Sequence, residues 1–438
     1  MPATRDLSDN GPLRTTVLCL LYFCQGVPWG FATIALLATL SEAGHDKSVT
    51  ASITAMAILP WTFKFFWAPL IDSVRMPALG VRRPWIVIAQ LGMSLTLLTA
   101  WSSGALGSEA TLVYLAWVLF FHNCFASLQD VATDALALDL LADRERGTVL
   151  GFMWASKLLG VTLGGAGLAI VIARTSFEAA LAAQALLILA VCGLLIAVRE
   201  RPGERLLPWS RGAAHIPAVH QEFGLGPTLR NLMTALSTRT TFLLVLVAAT
   251  AMVCEGLYDP LTTEFFVQKL GWSAEEFATR QGTLGVTGEM IGALTGGYLA
   301  SRFGGRRFAL VGLGMIMAIT LTFALTAGAW DEPGYPHLWL LPSFRGSIAF
   351  TTVCMFSVYM QACWTLAAAT QFTLYMALSN IGYSLGAKLN AWLPALGVSM
   401  EYDQYYLLTG LVPALAFTLL LAVGSKEVAP PELEPQTA

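Results

Sequence analysis

Runs of twenty or more apolar residues recur along the whole chain, separated by short charged turns. A helix needs about 20 such residues to cross a bilayer's hydrocarbon core. Inside lipid its backbone polar groups must be satisfied within the segment itself. The pattern predicts twelve spans, near 15–40, 50–71, 85–104, 111–141, 147–173, 178–198, 240–262, 281–303, 308–329, 344–364, 370–394 and 405–424. The break near Cys363–Ala369 carries no charge. Composition agrees. Of 438 residues 56% are hydrophobic and 12% charged, against about 45–50% and 25% in soluble domains, so lipid must solvate most of the surface. Polar residues Met1–Arg14 lead into an apolar run far longer than a signal-peptide core, which predicts a retained first span.

Twelve spans put both termini on one side, and the basic residues say which. Of the 25 Lys and Arg, seventeen fall on the N-terminal side: Arg5, Arg14, Arg75, Arg82, Arg83, Arg144, Arg146, Arg199, Arg201, Arg205, Arg211, Arg230, Arg239, Arg302, Arg306, Arg307 and Lys426. Opposite loops hold only Lys47, Arg174, Lys269 and Arg280, while Lys64, Lys157, Arg345 and Lys388 lie in or at the edge of spans. Both termini are therefore expected in the cytoplasm. A net charge of −3 gives no basis for nucleic-acid binding. Cys19, Cys24, Cys124, Cys192, Cys254, Cys354 and Cys363 all sit in apolar runs with no CxxC pair, and read as small buried hydrophobes.

The longest polar segment, Arg199 to Arg239, is rich in Arg and Pro. It divides the chain into a first half, 1–198, a linker, 199–239, and a second half, 240–438. The halves repeat. Moving Cys24 onto Cys254 places Cys24-Gln25-Gly26 on Cys254-Glu255-Gly256, and Asp72, after span 2, on Arg302, after span 8. A paired arginine follows in each loop, Arg82-Arg83 and Arg306-Arg307. Arginines at helix ends bind carbonyls and complement the dipole, so these contacts could form in one conformation and part in another. Asp72, Arg82, Arg83, Arg302, Arg306 and Arg307 are the gating candidates.

Ionisable side chains inside spans are costly and mark function. Span 4 holds His122, Asn123, Gln129, Asp130, Asp134 and Asp139. Asp130 and Asp134 share a helix face, and two carboxylates so placed disfavour joint ionisation, the property of a proton carrier. Against this, Asp134 and Asp139 lie near the cytoplasmic end, where Arg144, Arg146 or a loop arginine can pair with them. Lys157 is about 15 Å into span 5 at 1.5 Å per residue, and Asp130 or Asp134 is its expected partner, either as a structural pair or as a proton-coupled switch. Glu255 and Asp259 share a face of span 7 and Glu289 sits mid-span in span 8; each is a candidate for coupling or for a cationic group of the substrate, and Asp259, toward the outer surface, has simple solvation as its alternative. Lys64 is expected to snorkel to the cytoplasmic interface. Gly160 and Gly164, and Gly288, Gly292 and Gly296, are spaced for close helix approach. Pro28, Pro60 and Pro260 are expected to break or bend their spans.

The layout of two six-helix halves about a charged linker is that of the major facilitator transporters, and the loop Gly297-Tyr298-Leu299-Ala300-Ser301-Arg302-Phe303-Gly304-Gly305-Arg306-Arg307 resembles their signature, with Ser301 where an Asp is usual. The fold expected is thus all-α, a major facilitator fold of twelve transmembrane helices. Within that group, several stretches resemble AmpG-type muropeptide permeases, relatives of the acetyl-CoA transporters. They are Gln25-Gly26-Val27-Pro28; Pro60-Trp61-Thr62-Phe63-Lys64-Phe65-Phe66-Trp67-Ala68-Pro69-Leu70-Ile71-Asp72 continuing to Arg82-Arg83-Pro84-Trp85; Gln129-Asp130-Val131-Ala132-Thr133-Asp134-Ala135 followed by Glu145-Arg146-Gly147; and Ala369-Thr370-Gln371-Phe372 to Ala377-Leu378-Ser379-Asn380-Ile381-Gly382. Glu289 departs from the apolar or small residue expected there. The resemblance implies proton-driven import of anhydromuramyl glycopeptides released by cell-wall turnover.

The expected function is therefore a proton-coupled symporter of the bacterial inner membrane, monomeric, with its cavity between the halves. Gln25, Gln129, Gln371 and Asn380 would meet sugar hydroxyls and amides, Glu255 would join them, and Trp29 or Trp364 would stack on a sugar. Asp130, Asp134, Lys157 and Glu289 would carry or sense the proton. The alternative is a siderophore or other small-metabolite permease of the same fold. A membrane enzyme or sensor has no support: the sequence offers no metal-ligand spacing, nucleophile elbow or phosphate-binding Gly loop, and no cofactor is expected.

Overall fold

The computed structural model describes residues 6–42, 53, 56–57, 59–74, 76–102, 109–212, 224–364 and 367–424. Arg5, Lys47, Arg75 and Lys426 of the charge asymmetry, most of the start of the second predicted span and the middle of the linker lie outside the described residues. Helix occupies most of the described part of each of the twelve predicted spans. The elements are α1 (Gly11–Leu40), α2 (Trp67–Ser73), α3 (Arg83–Ser102), α4 (Glu109–Leu140), α5 (Asp143–Arg174), α6 (Phe177–Ile196), α7 (Leu225–Leu236), α8 (Arg239–Lys269), α9 (Val286–Phe303), α10 (Gly305–Leu325), α11 (Leu340–Ala362), α12 (Ala368–Ala395) and α13 (Tyr402–Ala422). Among the described residues, α1, α3, α4, α5, α6, α8, α10 and α13 are long and apolar enough to cross a membrane by length and composition. Helices α9, α11 and α12 stand at predicted spans but are diluted by Gly, Ser, Thr and charged side chains.

Local chemistry sets the ends. The Asn10 side chain accepts from Leu13 N–H at 3.1 Å with Pro12 in the first turn of α1. Ser176 caps α6 through Ala179 N–H at 3.1 Å, and Glu401 and Gln404 form a capping box on α13. Gly304, at φ +100°, turns the chain between α9 and α10, a conformation side chains resist. Of the break or bend expected at Pro28 and Pro260, the break does not occur. Each stays inside a helix and is followed by a wider π turn, Phe31–Ala35 and Phe265–Lys269. The interruption in α8 comes earlier, at Met252.

The chain divides into two compact units. The first comprises Met1–Leu141, Met153–Arg230 and Leu366–Thr373, and the second Ala142–Phe152, Asn231–Thr365 and Leu374–Ala438. In the first, α3 packs on α4 and α6, and α1 on α5; in the second, α11 packs on α9 and α10, and α13 on α8 and α10. An aromatic core including Tyr258, Phe265, Phe266, Phe323, Trp330, Phe344 and Tyr406 fills the second unit. The sequence repeat has a structural counterpart. Gly26 of α1 lies against the Lys157 carbonyl of α5, and Gly256 of α8 against the Tyr383 carbonyl of α12. A side chain at either glycine would collide with backbone, so each crossing holds its helices at glycine distance.

Candidate functional site

In the first unit, α1, α4, α5 and the turn before α2 bring four ionisable side chains together. Lys64 donates to Asp130 at 3.0 Å, with side chains 4% and 1% exposed. This corrects the expectation that Lys64 snorkels. Residues 63–66 leave the α-helical path (Phe63 has φ −99°, ψ 7°), and the short 3₁₀ turn buries the ammonium where Asp130 compensates it. One helical turn along α4, Asp134 accepts a short hydrogen bond from the Tyr22 hydroxyl of α1. Lys157 takes neither carboxylate, contrary to expectation. Its ammonium lies over the rings of Trp61, Trp154 and Tyr22 at 5.5, 5.6 and 5.7 Å, which attract it through their electron-rich faces. Trp61 also donates to Asn123 at 2.8 Å, fixing that wall of the cage to α4. His122 faces Thr96 and Met93 of α3 at 3.2 and 3.1 Å.

The second unit gathers its charges on a residue the sequence reading left without a role. Arg345 of α11 pairs with Glu255 at 3.1 Å, Asp259 at 3.0 Å and Glu289 at 3.4 Å. Asp259, partly exposed, binds Arg345 and accepts from the Tyr383 hydroxyl at 3.0 Å. Glu255 and Asp259 are one turn apart on α8, so one planar guanidinium reaches both, and Glu289 approaches from α9. The signal for Arg345 was present in the sequence: three acids in neighbouring spans require a cation, and Arg345 stands six residues into its helix.

Of the gating candidates, Asp72 and Arg82 meet. Arg82 bonds Asp72 at 2.9 Å and Asp139 at 2.7 Å, the pairing of Asp139 with a loop arginine that its position suggested. Asp72 also accepts from the Thr370 N–H and hydroxyl at 2.9 and 2.8 Å. Arg83 turns to carbonyls of Leu79, Leu195, Ile196, Arg205 and Leu206. Arg306 donates to the Leu420 and Leu421 carbonyls at 3.1 and 2.9 Å, closing the end of α13. Arg302 and Arg307 are exposed. Glu200 was not anticipated. Its buried carboxylate accepts from the backbone N–H groups of Val81, Arg82 and Arg83 and so caps α3. Glu200 and Glu204 lie outside the spans. Burial raises both above the usual carboxylate range, Glu204 to about 7 with a further contribution from the charge of Glu200.

Gln25 is 1% exposed, and neither of its amide atoms has a hydrogen-bond partner among the described residues. Gln129 donates to the Leu21 carbonyl at 3.2 Å. Trp29 stands edge-on to Trp61, ring centroids 5.6 Å apart. Gln371 is buried, Trp364 half-buried and Asn380 exposed. Three of the four motif stretches are thus tied to one another: Lys64 of the second to Asp130 of the third, and Thr370 of the last to Asp72 of the second.

A helical chain with repeated glycine crossings and paired charges inside its spans has the character of a membrane transporter. The chain matches the Major Facilitator Superfamily model over residues 18–387, and it belongs to that family. It is similar to the anhydromuropeptide permease of Escherichia coli K12, 25% identical over 396 residues that cover 86% of this chain and 74% of that one. It is also similar to the putative transporter AmpG 4 of Rickettsia conorii, 20% identical over 431 residues, 94% and 97% of the two chains. Among solved structures it shares its fold with the proton:xylose symporter XylE bound to 6-bromo-6-deoxy-D-glucose (TM-score 0.66, 16% identity, 96% and 98% coverage). The same holds for a bacterial homologue of the iron transporter ferroportin in an outward-facing state (TM-score 0.68, 15% identity, 94% and 98% coverage).

Proposed function

We propose that the protein is a proton-coupled importer of peptidoglycan turnover fragments, anhydromuropeptides, working by alternating access as a monomer in the bacterial inner membrane with both termini cytoplasmic. The observation that carries this reading is the buried Lys64–Asp130 pair with Asp134 one turn away. It is built from the stretches that resemble muropeptide permeases, and the relatives point the same way. A transporter needs charges whose state can change inside a dry environment. Asp130 and Asp134 exchange the proton, with Lys64 and Lys157 as the balancing cations. Arg345, Glu255 and Glu289 form a second charge centre that responds to the same gradient. Gln25, Gln129, Gln371 and Asn380 offer neutral hydrogen bonds and Trp29 an apolar face for a sugar. The Asp72–Arg82 contact forms in one conformation and parts in another.

The test is uptake of labelled anhydromuropeptide into proteoliposomes under an imposed inward proton gradient, with and without an uncoupler. Uptake that collapses with the uncoupler is the expected result, and Asp130→Asn should abolish the gradient dependence. Absence of uptake by folded protein would refute the substrate and leave the transporter class standing.

A further inference from the structure

Lys157 is a cation held by rings. Three aromatic side chains from α1, α5 and the second span surround its ammonium, while the two carboxylates nearest in the cluster are occupied elsewhere, Asp130 by Lys64 and Asp134 by Tyr22. Among the described residues no carboxylate pairs with it. Aromatic faces attract an ammonium but supply no formal negative charge, so the cage holds Lys157 in place and leaves its charge uncompensated at contact distance.

What stands beside the cage points to a ligand. Tyr22, Gln25 and Trp29 follow one another on α1 at intervals of three and four residues, which places them on one helix face. That face carries a wall of the cage, a 1% exposed amide with both atoms unpartnered among the described residues, and an indole packed edge-on to Trp61. Buried amides are nearly always hydrogen-bonded, so Gln25 is a second, independent sign that something polar belongs there.

The geometry points to Lys157 as the residue that binds a carboxylate of the transported solute, with Gln25 taking an amide or hydroxyl of the same molecule, and to Asp134 as the proton site that controls whether the carboxylate is admitted. This rests on the reading above of a solute that carries both sugar and acid groups. The charge count gives the coupling. The charged groups facing the cage are Lys64 and Lys157, which are positive, Asp130 and Asp134, which are negative when ionised, and the neutral phenol of Tyr22. With both carboxylates ionised the set is neutral, and an incoming carboxylate would leave it at minus one beside Asp134, whose hydrogen-bond donor is itself a wall of the cage. A proton on Asp134 removes that repulsion, and binding of one proton with one carboxylate returns the set to neutrality. Proton and solute therefore favour one another's binding, and linkage makes the effect reciprocal.

The experiment is equilibrium binding by calorimetry to purified protein in detergent, at about pH 6 and about pH 8. The probes are an anhydromuramyl tripeptide and the same molecule with its carboxylates converted to carboxamides. The expected result is about tenfold tighter binding of the acid at the lower pH, within the usual range of coupling between sites. That preference should shrink at the higher pH, while the carboxamide's affinity stays level. Lys157→Gln should bring the two probes to equal affinity, and Asp134→Asn should remove the pH dependence. A preference for the acid that survives in Lys157→Gln would overturn the assignment. The wild-type comparison keeps the test independent of how the variants fold: equal binding of both probes, or an acid affinity that ignores pH, overturns the inference alone. Binding of neither probe by folded wild-type protein overturns the muropeptide reading and the inference with it.

Discussion

The Lys64–Asp130 pair gives the sharpest test of the site's energetics. Its charged atoms are 3.0 Å apart and its side chains 4% and 1% exposed. At an effective dielectric of about 20 the attraction is on the order of 5 kcal/mol, most of which offsets the cost of taking both charges out of water. Lys64→Met leaves the buried Asp130 carboxyl without its paired ammonium, and Asp130→Leu does the converse; breaking a buried pair from one side costs about 3–5 kcal/mol. The double variant Lys64→Met/Asp130→Leu removes both charges and should regain most of that loss. Thermal melting of purified protein followed by tryptophan fluorescence would read each single variant as a drop of about 10 °C, at roughly 2–4 °C per kcal/mol, with the double variant within a few degrees of wild type. Transport should be lost in all three, because the double variant restores stability but not a titratable pair. Coupling in the double-mutant cycle below about 0.5 kcal/mol would refute the reasoning, since the two side chains would then not share their burial.

Three further expectations follow from the same geometry. Arg345→Met strands Glu255, Asp259 and Glu289, so uptake should fall about tenfold or more near neutral pH, as expected when a buried charge loses its partner, and recover in part at acid pH where the carboxylates protonate; uptake equal to wild type at all pH values would remove the centre from function. Glu204, raised to about 7 mainly by burial, holds its proton more tightly folded than unfolded. Its contribution to stability is present below the ordinary carboxylate range and lost as pH rises toward about 7. The melting temperature should therefore decline through that window and the decline should flatten in Glu204→Gln; an unchanged slope would exclude Glu204 as its source. Gly26→Leu would drive a side chain into the Lys157 carbonyl, and overpacking of this kind costs about 1–3 kcal/mol or more; size-exclusion profiles should show poorly folded protein, with the matching Gly256→Leu failing likewise.

How much of this was legible beforehand depended on the range of the interaction. The apolar runs marked each span, and helix occupies most of the described part of every one, because a bilayer imposes its demand on about 20 consecutive residues at a time. The repeat of Cys24-Gln25-Gly26 in Cys254-Glu255-Gly256 returned as two matched glycine crossings, and the placement of Glu255 and Asp259 on one face followed from helical period alone. Partner choice was not legible. Lys64 and Lys157 are both single lysines in apolar surroundings, and nothing local separates one that pairs with Asp130 from one enclosed by Tyr22, Trp61 and Trp154. That outcome is set by a 3₁₀ turn at residues 64–66 and by the close approach of α1 to α5. Arg345 is silent for the same reason: its three acids come from α8 and α9, 56 to 90 positions away in the chain. The sequence by itself determined the spans, their helical faces and the stock of charges placed in them. Only the tertiary structure decided which charges meet, because a side-chain contact across helices depends on crossing distance and rotation, and these are set by packing between segments remote in sequence.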